Sequence, residues 1–126
     1  AKPRVPRLPV LPSHAQETVK AILQFLHLHH IPAWRMNTGA TKIGGRFLRF
    51  GLVGMSDIIG VWQPGIEGPW KEPSHASEGL FLAIEVKAAK GTVTAAQEWF
   101  LDTVNASGGK GFVARSVEDV RKELGL

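Results

Sequence analysis

Cysteine is absent from the 126 residues, which removes disulfides and thiolate chemistry and makes a reducing compartment the expected setting. Long apolar runs are missing too. None approaches the ~18 residues of a membrane span, and the opening "AKPRVPRLPVLP" has no apolar centre of the signal-peptide kind. The expectation is a cytoplasmic, intracellular protein with no membrane partner. Low-complexity blocks and internal repeats are also lacking, so neither disorder nor a repeat architecture is indicated. Acidic residues are the scarcer charge: 11 Asp and Glu stand against 15 Lys and Arg, for a net charge of +4. That balance suits a polyanionic partner such as nucleic acid, and equally a merely basic protein, so the positions of the charges must decide.

What is present is ordinary globular material, with 44% hydrophobic and 21% charged residues. Residues 13–126 read as a single domain, preceded by an extended, basic, Pro-rich arm over 1–12 that carries Lys2, Arg4 and Arg7. Ser13 and Gln16 form a capping-box pattern, and Val19, Ile22, Leu23 and Leu26 recur at helical spacing, so a helix is expected over 13–29 until Ile31-Pro32 stops it. "AWRMNTG" then reads as a strand, "GATKIGG" as a glycine-rich turn and "RFLRFG" as a strand pairing back. "SDIIGVW" and "LFLAIEVKA" are further strands, separated by a breaker-rich loop over 63–79. Thr94 opens a second helix, "SGGKG" stops it, "KGFVARS" is the last strand, and Ser116 starts a short terminal helix. The class is α/β or α+β, a mixed sheet flanked by helices.

Two charges interrupt the strand "LFLAIEVKA". Side chains two apart share a face, so Ala83, Glu85 and Lys87 point one way and Ile84, Val86 and Ala88 the other. Burying either charge alone is costly, which leaves an edge-strand salt bridge or a functional site. Asp57 raises the same question at the head of its own apolar strand. If Asp57 and Glu85 meet, they make a hard oxygen site for Mg²⁺ or Mn²⁺, and Lys87 is placed to position or deprotonate an attacking water.

Asp57 followed after a variable loop by Glu85-Val86-Lys87 resembles the PD-(D/E)xK nuclease superfamily, with Ser56 where a Pro usually precedes the Asp. "GMSDIIGV" together with "FLAIEVKAAKGTVTAAQEWF" is similar to its virus-type replication-repair subfamily, VRR-NUC, over most of the chain. The resemblance implies a restriction-endonuclease-like core and a Mg²⁺-dependent endonuclease, with Mn²⁺ as a substitute, acting on DNA. It further implies that Asp57, Glu85 and the Val86 carbonyl hold the metal, that Lys87 serves the water, and that Gln97 and Glu17 match the family's helical site residues. For Gln97 the alternative is a capping box with Thr94; for Glu17 it is a solvated first-turn acid favoured by the helix dipole. Glu17 shares a helix face with Ala21, Gln24 and Leu28, which could lie against the catalytic edge of the sheet.

Arg35, Lys42, Arg46 and Arg49 crowd the predicted hairpin, and with Lys90 they are the expected DNA-phosphate contacts. His27, His29 and His30 tempt a zinc reading, but no Cys or second ligand cluster accompanies them. Stand-alone nucleases of this type resemble homodimers acting on four-way (Holliday) junctions; Trp62 and Trp70 could lie under a second subunit or complete a monomer's core. The rival functions are a monomeric flap or nick nuclease and a non-catalytic DNA-binding module.

Overall fold

In chain order the elements are α1 (Ser13–Leu28), β1 (Ala33–Arg35), β2 (Gly39–Ile43), β3 (Arg46–Phe50), β4 (Ile58–Trp62), β5 (Leu80–Val86), α2 (Ala95–Ala106), β6 (Lys110–Ala114) and α3 (Val117–Leu124). The structure, a computed structural model, describes residues 13–36, 39–50, 52–65 and 78–126, and leaves the side chains of 13–14, 39–42 and 47–50 undescribed. The arm over 1–12 and Trp70 therefore lie outside the described residues.

β5 is the central strand. The main sheet has the order β1-β4-β5-β6, with β5 antiparallel to β4 and parallel to β6. Parallel pairing needs a crossover, and α2 supplies it. The expected mixed sheet flanked by helices is thus what forms. One face packs on α1 and α3: Val19, Ile22 and Leu26 meet Val120 and Leu124 over Ile58, Leu82, Ile84, Val86 and Phe112. The other face receives α2, whose Leu101 and Val104 cover Ala83.

Local chemistry explains the ends of the elements. At α1, the Ile31 amide donates back to the Leu26 carbonyl at 2.9 Å while His30 takes a left-handed φ of 55°, and Pro32 bars continuation. α3 begins on Ser116, whose hydroxyl accepts the Asp119 amide, and ends on left-handed Gly125.

The region 39–45 corrects the sequence expectation. Rather than one glycine-rich turn, Gly39–Ile43 is strand β2, paired antiparallel with β3 in a two-stranded sheet of its own. The turn narrows to Gly44 and Gly45, both at positive φ (57° and 79°), the backbone that a two-residue hairpin demands and glycine supplies without strain. The strand expected over 33–39 is correspondingly short, ending at Arg35.

Candidate active site

The register Ile58↔Ile84 brings the residue before β4 to the end of β5. There Asp57 Oδ2 accepts the Val86 amide at 2.8 Å, and the Asp57 carbonyl accepts the Met36 amide at 2.7 Å. One residue thereby ties together β1, β4 and β5. The turn before it has little freedom. Gly54 sits at φ 85°, and a Cβ there would lie 2.4 Å from the Ala96 backbone, so only glycine lets this turn pack on the first turn of α2. Ser56 is fully buried between them in sequence.

Glu85 points to the α2 side of the sheet, as alternation requires, and is only 3% exposed. Its Oε1 accepts from Gln97 Nε2 at 3.0 Å and faces Lys87 Nζ at 3.6 Å. Its Oε2 is buried and has no hydrogen-bond partner among the described residues. Because β5 has neighbours on both sides, the edge-strand salt bridge is not the explanation of this pair. Burial first, and the adjacent Asp57 carboxylate second, push the Glu85 carboxyl up to about 8; the pull of Lys87 in the other direction does not offset them.

Gln97 caps α2 and also reaches Glu85. Its Oε1 accepts the Thr94 amide at 3.0 Å and Thr94 Oγ1 accepts its amide at 3.2 Å, completing the capping box, while its Nε2 reaches Glu85. Lys87 is anchored by its amide, which donates to the Ala114 carbonyl at 3.0 Å, and its side chain keeps 18% exposure. Arg115, which sequence reasoning missed, holds the turn that follows: its Nη1 donates to the carbonyls of Ala88 and Gly91, the latter at 2.8 Å. No local pattern marks Arg115; only the β5–β6 register, Val86↔Ala114, puts it beside the ExK strand.

Glu17 and Arg35 are not gathered here. Glu17 is exposed on α1 and lines a cavity of about 560 Å³ with Lys20, Gln24 and Arg35. That groove lies on the α1 side of the sheet, since Arg35 shares the face of buried Ala33. The second face of α1 does not close over the catalytic edge: Leu28 at its end is 78% exposed. Arg46 is exposed beside the hairpin turn, Lys90 is exposed on the turn held by Arg115, and the Lys42 and Arg49 side chains lie outside the description. His27 Nε2 lies 3.0 Å from the Ala33 carbonyl and His29 stacks obliquely on Phe25, so these two histidines have structural work at the helix end. Trp62 is partly buried and packs against the main core.

Among the described residues no group of three or more His, Cys, Asp or Glu side chains is placed to hold a metal ion. The donors present are two carboxylates, and they fit a hard divalent cation, which commonly takes one or two carboxylates and completes its shell with carbonyls, water and substrate phosphate. The partnerless Glu85 Oε2 and the raised Glu85 pKa are both signs of a site short of positive charge.

A mixed four-stranded sheet flanked by helices, with Asp57, Glu85 and Lys87 converging at the end of its central strand, is a nuclease-like core. The family model of the VRR-NUC domain matches residues 7–118, and the chain belongs to that family. Membership implies a nuclease-type function on DNA. No curated protein and no solved structure matches the chain significantly.

Proposed function

We propose that this chain is a metal-dependent endodeoxyribonuclease that hydrolyses phosphodiester bonds in branched DNA, four-way junctions in particular. The observation that carries this reading is Glu85 Oε2, buried, partnerless and beside a second carboxylate. Asp57, Glu85 and the Val86 carbonyl would hold Mg²⁺, or Mn²⁺ in its place, and the ion when bound would acidify water and offset charge on the phosphoryl oxygens. Gln97 fixes the Glu85 carboxylate through Oε1. Lys87 Nζ, partly open to solvent, holds the water whose oxygen bonds to phosphorus as one ester P–O bond breaks. A proton leaves that water and one joins the departing oxygen. Lys42, Arg46, Arg49 and Lys90 contact phosphates, with weak sequence preference. Arg35 and Glu17 enter only from the α1 groove, so their removal should matter least.

A junction has two strands to cut, and a two-fold homodimer supplies two sites related by symmetry. A panel of labelled substrates with one sequence, containing a four-way junction, a flap, a nick and a plain duplex, tests the reading in Mg²⁺, Mn²⁺ and chelator. Paired, symmetric, cation-dependent cuts in the junction are expected. Cleavage confined to flaps or nicks by a monomer, or binding without cleavage in any cation, would replace it with one of its rivals.

A further inference from the structure

The face of the sheet that carries Glu85 continues into apolar side chains. In the aligned strands Trp34 lies opposite Ile59, and Val61 opposite Phe81. Alternation places these four on the Glu85 face, away from α1 and α3, whose side receives Ala33, Ile58, Leu82 and Ile84. α2 covers this face over Ala83. Beyond it, Trp34 is 57% exposed, Phe81 44% and Val61 43%. Ile59 stands two residues from Asp57, roughly 7 Å along the strand, so the apolar strip runs directly into the carboxylates.

We infer that Trp34, backed by Ile59, is a stacking platform for an unpaired base of the DNA substrate beside the bond being cut. The inference rests on the nuclease reading above and deepens it. Continuity with Asp57 and Glu85 selects this occupant: a protein seated on the strip would block substrate from the carboxylates, whereas substrate itself covers both together. An indole also offers a flat π surface that accepts any base. A paired base stays sandwiched between its neighbours and cannot present its face; a nucleotide splayed at a branch point can. Trp34 thus favours a branch point, that of a four-way junction included, at which the nucleotide next to the scissile phosphate leaves its pair, and a flap is the simplest substrate that holds such a nucleotide unpaired.

The test uses the full chain and two substrates of one sequence: a nicked, fully paired duplex, and the same duplex with a short unpaired flap whose first base is a fluorescent adenine analogue. Binding is read without divalent cation, and cleavage separately with Mg²⁺. The wild type should quench the analogue. Trp34→Ala and Trp34→Leu should lose the quench and weaken flap binding about tenfold, with nicked-duplex binding unchanged, while Trp34→Phe keeps most of both. Leu retains apolar area at an exposed position, so it separates stacking from simple burial and guards against a folding defect in the Ala variant. Equal losses on both substrates, or none, would overturn the platform. So would light scattering in which Trp34→Leu splits a dimer, because the strip would then belong to a second copy. Quenching by a wild type that cuts nothing would remove the nuclease reading and leave the platform; cleavage indifferent to Trp34 would do the reverse.

Discussion

Gln97 Nε2 donates to Glu85 Oε1 at 3.0 Å from the same side chain whose Oε1 caps the N-terminus of α2. The two roles separate by substitution. Thr94→Ala breaks the cap alone and should lower stability by about 1 kcal/mol while leaving cleavage nearly intact. Gln97→Glu keeps a capping side chain but adds a third carboxylate to the Asp57–Glu85 pair, and should cost cleavage at least tenfold with little change in melting temperature. Parallel thermal melts and Mg²⁺-dependent cleavage assays would show whether both losses instead travel together.

Glu85→Ala and Lys87→Ala should each reduce cleavage by about a hundredfold or more, and only Glu85→Ala should weaken Mn²⁺ binding, because only the carboxylate is a proposed ligand. Calorimetry with Mn²⁺ on folded variants is the check. Full cleavage by either variant would discard the proposed site.

Without divalent cation the folded protein holds a proton on Glu85 up to about pH 8, whereas the unfolded chain releases it near the ordinary 4.5. The contribution to stability is therefore complete below about 4.5 and is lost as pH climbs through about 8. Urea unfolding in chelator across this range should show stability falling with pH, and Glu85→Gln should flatten the slope. A cation competes with that proton, so Mg²⁺ should stabilise the protein more at pH 8 than at pH 5. A larger effect at pH 5 would count against a site at Glu85.

Arg115 holds the turn after Lys87 through the Ala88 and Gly91 carbonyls. Arg115→Ala should release those backbone groups, lowering kcat more than DNA affinity and raising amide exchange over residues 88–91. Unaltered exchange there would mean that the turn is held by other contacts.

Gly54→Ala should destabilise the protein by more than about 1 kcal/mol, since it combines a left-handed backbone with a clash against Ala96. The loss of cleavage should exceed what the unfolded fraction explains, because the strained turn leads directly into Asp57.

Much of this was legible in the sequence for identifiable reasons. The helices announced themselves through apolar spacing and through Thr94 and Ser116, whose side chains do cap α2 and α3. Alternation along β5 places Glu85 and Lys87 on one face, whereas the meeting of Asp57 with Glu85 stays a condition at the level of sequence, because it depends on the antiparallel register of β4 and β5. The hairpin was misdivided because glycine at 39 looks the same in a strand as in a turn, while only positions 44 and 45 take the left-handed backbone. Closeness in sequence groups Arg35 with the hairpin cations, and the strand places it in the groove beside α1. Arg115 lay beyond reach because its partners are 24 and 27 residues away and are backbone carbonyls, which carry no sequence signal.

The antiparallel register of β4 and β5 has one more consequence. Ile58 faces Ile84 at the catalytic end, and Trp62 faces Leu80 at the other. Whatever joins Trp62 to Leu80 therefore leaves and re-enters the sheet five residues along each strand from Asp57 and Glu85, roughly 17 Å at about 3.3 Å per strand residue. Evolution or an engineer can lengthen that connection, or graft a recognition module or reporter into it, without moving a reacting atom. The chain divides into a stretch where a single methyl group is forbidden and a port where an entire domain can be spliced.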